Sequence, residues 1–196
     1  ASLEAATTLV DALKGKEAVV SQIKKKSFSQ SPYAPFTTST LQQDGVRKLN
    51  MSSDRVMKAA QKLYEGTGNG GYITYMRTDS INLSAEAIGD IRSFVSGEKT
   101  LGKQLLPNSP REYKTKAKNA QEAHEAIRPT KMDMTPDRLR QESSLDQDEL
   151  KLYALIWKRT IASQLVNAEF ESTVVDIDCG DGQFRANGKV LVFPGF

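Results

Sequence analysis

The chain has 196 residues, 26% of them charged, and a formal charge of +3, enough for one generous domain or two small ones with real cores. That charge excess is too mild to name a partner, because nucleic-acid binding depends on local clusters of Lys and Arg. A single cysteine, Cys179, rules out a disulfide framework and a cysteine-based zinc site. No apolar run approaches the ~20 residues that span a bilayer, and no signal-peptide pattern opens the chain.

In chain order, Ser2 caps a helix whose apolar positions Leu3, Ala6, Leu9, Val10 and Leu13 follow helical spacing, ended by Gly15. Residues 17–28 read as a strand, with Lys24-Lys25-Lys26 as its exposed end. The stretch from Ser29 to Pro35 carries two prolines that fix their own φ and restrict their predecessors, so it reads as a linker. Helices are then expected over 37–49, and from Ser53 as cap to Gly66, with Val56, Ala60 and Leu63 on one face. A glycine-rich turn leads into an extended Tyr72-Ile73-Thr74-Tyr75.

Ser84 opens a third helix with Ile88, Ile91 and Val95 inward, followed by a loop over 97–118. A short helix is expected over 120–127, closed by Arg128-Pro129, and another from Thr135-Pro136. The longest helix covers 146–166, with Leu150, Tyr153, Trp157, Ile161 and Leu165 spaced for burial. Beyond Asn167 the period changes to two: a strand over 169–179, a turn at Gly180-Asp181-Gly182, a strand over 183–186 and a further strand from Lys189. The apolar run that closes the chain at Phe196 needs a neighbour, so both ends are expected to continue into a longer polypeptide. The fold class is therefore α+β, mainly α with flanking β: a helical domain over 32–166 inserted between β segments 1–31 and 167–196.

Three clusters could carry chemistry. In Thr74-Tyr75-Met76-Arg77-Thr78-Asp79-Ser80, an extended backbone projects Tyr75, Arg77 and Asp79 from one face. A phenol can attack a phosphodiester, and a guanidinium offers fixed donors to phosphoryl oxygens; the bland alternative is a surface strand with a Tyr-Arg-Asp stack. In the segment from Gln121 to Pro129, His124 and Arg128 would share a helix face and could reach one anion; a solvated helix end is the plain reading. One histidine is too few for a metal site, and no glycine-rich loop supports Glu122 and Glu125 as cation ligands. Third, Arg111, Lys114, Lys116 and Lys118 surround Tyr113, a mixture suited to a single-stranded backbone or simply to a solvated loop. The glycines of 66–71 lack the Lys-Ser/Thr ending of a phosphate-cradling loop.

The segment Gly71–Ser80 resembles the active-site segment of the bacterial type IA DNA topoisomerases, and Gln121–Thr130 resembles that family's histidine-containing signature. Tyr33–Gln43, Gln61 with Leu63-Tyr64-Glu65, and Leu152–Trp157 match in the same order, so the resemblance covers essentially the whole chain. It implies a movable helical domain related to helix-turn-helix, CAP-like folds, set in a β arch. It implies that Tyr75 attacks one DNA strand to leave a 5′-phosphotyrosine, and that Arg77 holds the scissile phosphate. His124 would contact a neighbouring phosphate, with Gln61, Glu65, Thr74, Thr78, Asp79 and Arg128 in support. The partners implied are single-stranded DNA and the other domains of the same polypeptide, with no membrane, in the bacterial cytoplasm at the nucleoid. Magnesium would be held by a metal-binding Toprim domain that has no counterpart here, so the piece alone is expected to be inactive. The rival is a non-catalytic module that binds single-stranded nucleic acid. A tyrosine recombinase fits less well, because its tyrosine follows its Arg and His elements whereas Tyr75 precedes His124.

Overall fold

The computed structural model describes residues 2–68, 70–98, 101–113 and 125–196. Among these are six α-helices, one 3-10 turn and one three-stranded antiparallel sheet. The chain divides into two compact units, one formed by 1–31 with 167–195 and the other by 32–166 with Phe196.

The first unit holds α1 (Leu3–Leu13) and strands β1 (Ala18–Gln30), β2 (Ala168–Cys179) and β3 (Gly182–Phe193), in the order β1-β2-β3. β2 is central because it pairs with both neighbours: Phe170 lies opposite Phe28 on one side and Leu191 on the other. A bulge between Val20 and Gln22 breaks the β1 register. The strands that were expected over 183–186 and from Lys189 are one continuous β3. As an edge strand it satisfies a single neighbour, so Asn187 and Gly188 are tolerated opposite Val174 and Thr173. α1 forms as its spacing predicts, capped by Ser2, but none of its residues is buried. Its C-terminal end meets the β2–β3 turn, where the Cys179 thiol faces the Leu13 and Lys16 carbonyls.

The second unit packs α2 (Thr38–Leu49), α3 (Ser53–Glu65), α4 (Ala85–Gly97), α5 (Pro136–Glu142) and α6 (Gln147–Ala162). Thr37 and Asp146 each close a reciprocal capping box that satisfies the free N–H groups of α2 and α6. The cap of α3 is Ser52, with Ser53 its first helical residue. One apolar cluster gathers Phe36, Leu41, Leu63, Ile73, Tyr153 and Ile156; a second gathers Ile91, Val95, Met132, Ile161 and Leu165. Ile88 is only half-buried, and Ala87 takes the inward position instead.

Trp157 touches both clusters and stays partly exposed, its indole N–H donating to the Met132 carbonyl at 3.1 Å. It is therefore an edge residue where full burial was expected. α6 stops at Ala162, and the last turn to Leu165 closes through Gln164 and Leu165 N–H bonds.

Two further expectations change. Of the helix expected over 120–127, residues 120–124 lie outside the described residues, and Glu125 to Arg128 is not helical. Ile127 instead bridges to Phe36, its N–H donating to the Phe36 carbonyl at 2.8 Å. Gly97 closes α4, and what is described of the stretch from there to 118 is an irregular loop, save for a 3-10 turn at Lys103–Leu105.

Candidate active site

The segment from Tyr72 to Ser80 forms no strand, only one isolated bridge between Ile73 and Pro129. Even so it alternates: Met76, Thr78 and Ser80 are buried, while Tyr75, Arg77 and Asp79 face solvent. An extended backbone suffices for that; the ladder is not needed.

What replaces the ladder is a set of threonine and serine clamps. The Thr38 hydroxyl, in the first turn of α2, donates to the Met76 carbonyl at 2.7 Å and accepts the Thr78 N–H at 2.9 Å. The Thr38 N–H donates to the Thr78 carbonyl at 3.0 Å. Arg77 is thus held from both sides by one residue. Upstream, the Thr74 hydroxyl donates to the Ala126 carbonyl at 2.7 Å and accepts the Arg128 N–H at 3.0 Å. The Thr78 and Ser80 hydroxyls accept the N–H groups of Ser80 and Asn82 in turn. Every clamp holds backbone and leaves the three outward side chains free.

Tyr75 is 46% exposed, and its ring meets that of Tyr64 edge-on, centroids 5.2 Å apart at 66°. The contact depends on the glycine turn that ends α3. Gly66 sits at φ +73°, and a Cβ on Gly71 would run into the Tyr64 carbonyl. That approach lets the Tyr72 N–H reach the Leu63 carbonyl at 2.7 Å. Gln61 and Glu65 lie on the Tyr64 side of α3 and bond to each other, Nε2 to Oε1 at 2.5 Å. Among the described residues no carboxylate pairs with Arg77, so its donors remain available.

Arg128 sits elsewhere than expected. Its guanidinium donates to Glu125 Oε2 at 2.7 and 3.1 Å and to the Pro129 carbonyl at 3.0 Å. Glu125 Oε1 accepts the Ser84 N–H at the start of α4, at 2.8 Å. Burial pushes the Glu125 carboxyl up, but the bonds from Ser84 and Arg128 outweigh it and hold it below its ordinary value of 4.5. Arg128 therefore fixes the segment from Glu125 onward, which is extended rather than the helical face expected for it. His124 lies outside the described residues.

The third cluster also resolves differently. The Tyr113 hydroxyl donates to the Ser163 carbonyl at 2.8 Å, and Arg111 Nε donates to the Leu165 carbonyl at 2.5 Å. Burial raises the Tyr113 phenol pKa. Both residues anchor the loop to the end of α6; Lys114, Lys116 and Lys118 lie outside the described residues. Among the described residues, no three His, Cys, Asp or Glu side chains converge.

An outward phenol and a guanidinium without a carboxylate partner among the described residues, two residues apart on a pinned extended segment, could together attack a phosphodiester and hold its charge. The family model for DNA topoisomerases matches residues 1–196. The chain belongs to the bacterial type IA DNA topoisomerases. It is 48% identical to DNA topoisomerase 1 of Rickettsia felis over 97% of this chain and 25% of that protein. It is 46% identical to DNA topoisomerase 1 of Mycolicibacterium smegmatis over 97% and 20%. Full-length topoisomerase I from Thermotoga maritima superimposes with a TM-score of 0.80 at 36% identity, over 97% of this chain and 30% of that one. The chain thus spans about a quarter of the length of the curated topoisomerases that it matches. No described helix is long and apolar enough to cross a membrane.

Thr38 and Tyr64, central to this geometry, are not singled out as site residues by the sequence. Thr38 is hidden as one of several hydroxyls at a helix start. Tyr64 carries a faint signal, because glycines at 66, 68, 70 and 71 allow a reversal that brings α3 back beside Tyr75.

Proposed function

We propose that this chain is the nucleophile-bearing part of a type IA DNA topoisomerase that cuts and rejoins one DNA strand to relax negative supercoils. The Tyr75 phenolic oxygen attacks a backbone phosphorus in single-stranded DNA. The phenol gives up its proton as the Oη–P bond forms, the bond from phosphorus to the 3′ oxygen breaks, and that oxygen takes up a proton in exchange and leaves as a 3′-hydroxyl. Rejoining runs the same exchange backwards, which an aryl phosphate permits because phenoxide leaves readily. Arg77 steadies the phosphoryl charge as it grows, and His124 contacts an adjacent phosphate. Thr74 and Thr78 hold the reacting segment through its backbone, and Asp79, Gln61 and Glu65 border it.

The carrying observation is the alternation at 75–79: the segment is pinned through buried positions, while the phenol and the guanidinium stand out on one side. Backbone rise puts their attachment points about 6–7 Å apart, a span that a single phosphate with its ester oxygens can bridge. Magnesium, when present, would supply charge neutralisation from carboxylates elsewhere in the polypeptide. The helical unit would be a CAP-like domain that swings on an arch to which the β segments belong, and the protein would work on DNA in the cytoplasm.

The test combines this chain with a Toprim-containing piece of a family member, magnesium and a single strand labelled at its 3′ end, the side that stays on the tyrosine. A covalent adduct that disappears in Tyr75→Phe is expected. Binding with no adduct, under conditions in which an intact relative forms one, would leave only the non-catalytic module.

A further inference from the structure

The sheet of the first unit has two unlike faces. On one, Lys25 pairs with Glu171 at 3.1 Å beside Ile23, Val175 and Val190. The other carries Lys24, Lys26 and Phe28 from β1, Phe170 from β2 and Lys189 from β3. Phe28 and Phe170 stack with centroids 5.3 Å apart and planes 15° from parallel. The Lys189 ammonium lies 3.6 Å from the Phe170 centroid and 5.0 Å from that of Phe28. Farther along, Asp176 pairs with Arg185 and also draws the neighbouring Lys24, and Gln183 holds Asp178, so Lys26 and Lys189 at the aromatic end have no acidic side chain beside them and Lys24 has one that Arg185 already pairs. Among the described residues none of the three lysines has an ion-pair partner.

A stacked aromatic pair serves a core when it is covered, and lysines on an exposed strand commonly serve solubility. Here both occupy one open face. Phe28 and Phe170 are only half-buried, and Lys24, Lys26 and Lys189 are exposed. We propose that this face is a second binding surface for single-stranded nucleic acid, distinct from the segment that carries Tyr75. Phosphates pair with Lys24, Lys26 and Lys189, and one base stacks on the Phe28–Phe170 pair. Lys189 exchanges its hold on the rings for a phosphate oxygen, so the base takes the place that the ammonium vacates. Duplex DNA fits less well, since its bases are already stacked and cannot use the rings. The proposal does not rest on the chemistry of Tyr75.

The test is filter binding of this 196-residue chain to a twelve-nucleotide oligothymidylate, to an abasic strand of equal length and to a duplex, across a salt series. The triple variant Lys24→Gln, Lys26→Gln, Lys189→Gln should flatten the slope of log affinity against log salt by about 2, at ~0.7 per phosphate contact on a single strand. The double variant Phe28→Leu, Phe170→Leu keeps apolar bulk and should weaken oligothymidylate binding about five- to tenfold while leaving the abasic strand unchanged. Both losses should persist in an Arg77→Ala background, which separates this surface from the candidate active site. Unchanged slope in the lysine variant, or equal losses on the abasic strand and the duplex, would overturn the proposal. The lysine variant changes only exposed side chains, so it decides the matter even if the leucine variant melts early.

Discussion

The segment around Tyr75 and the sheet of the first unit are opposite solutions to holding a chain in place. The sheet has long strands paired along almost their whole length, interrupted only by irregularities at Ser21 and Val192, yet Val192 is 66% exposed and most of β1 and β3 faces water. The segment around Tyr75 has no ladder, yet alternate residues are sealed into a core and the Met76 and Thr78 carbonyls are taken by Thr38. Order in the first comes from backbone pairing; in the second it comes from burial and a few side-chain bonds. A reacting phenol profits from the second arrangement, because a clamp that grips only backbone leaves the side chain outside the fold's own interactions.

The contrast can be broken most forcefully at Phe36, fully buried under the Arg159 guanidinium at 4.2 Å. Phe36→Ala should cost about 3–5 kcal/mol, whereas Val192→Ala on β3 should stay within about 0.5 kcal/mol; urea titration of each reads both. Similar costs would mean that the two regions are held alike.

Arg77→Ala should lower adduct formation by about 10²–10³ while leaving the melting temperature almost unchanged, if the guanidinium serves developing charge as such donors do elsewhere. A fall in stability equal to the fall in cleavage would instead make Arg77 structural.

Smaller again, Thr38→Val keeps the shape but strands the Met76 carbonyl and the Thr78 N–H, costing about 1–3 kcal/mol. Because the lost bonds straddle Arg77, cleavage should fall by more than the lost stability alone predicts. Parallel melts and adduct yields would show whether it does.

The smallest effect is a pH dependence at Glu125. Its carboxyl is held below 4.5 in the folded chain, so the stability it contributes is fully present above that value. That stability is lost as pH falls through the lowered folded pKa. Glu125→Gln should therefore melt below the parent at pH 7 and approach it in acid; a gap constant with pH would remove the ionised Glu125–Arg128–Ser84 bonds from the account.

Much of this was readable beforehand where the cause is local. Capping serines and threonines, and apolar residues three and four apart, placed α2, α3, α4 and α6 to within a few residues. The outward set Tyr75, Arg77 and Asp79 followed from period two alone. What escaped depends on partners far along the chain. Residues 125–128 carry helix-forming side chains but are pulled straight by Phe36, some ninety positions earlier. Arg111 and Tyr113 have the composition of a nucleic-acid loop, yet the carbonyls at the end of α6, fifty residues on, claim them. Strong local propensity loses wherever a distant buried group needs a hydrogen-bond partner.

The position of Trp157 has a practical consequence. It is the chain's only tryptophan and belongs to the helical unit, whereas the only thiol, Cys179, belongs to the sheet unit. Indole emission therefore reports on one unit and the rate of alkylation on the other. A single denaturation series followed by both signals will reveal whether the two halves let go together or in sequence, with no label engineered into the protein.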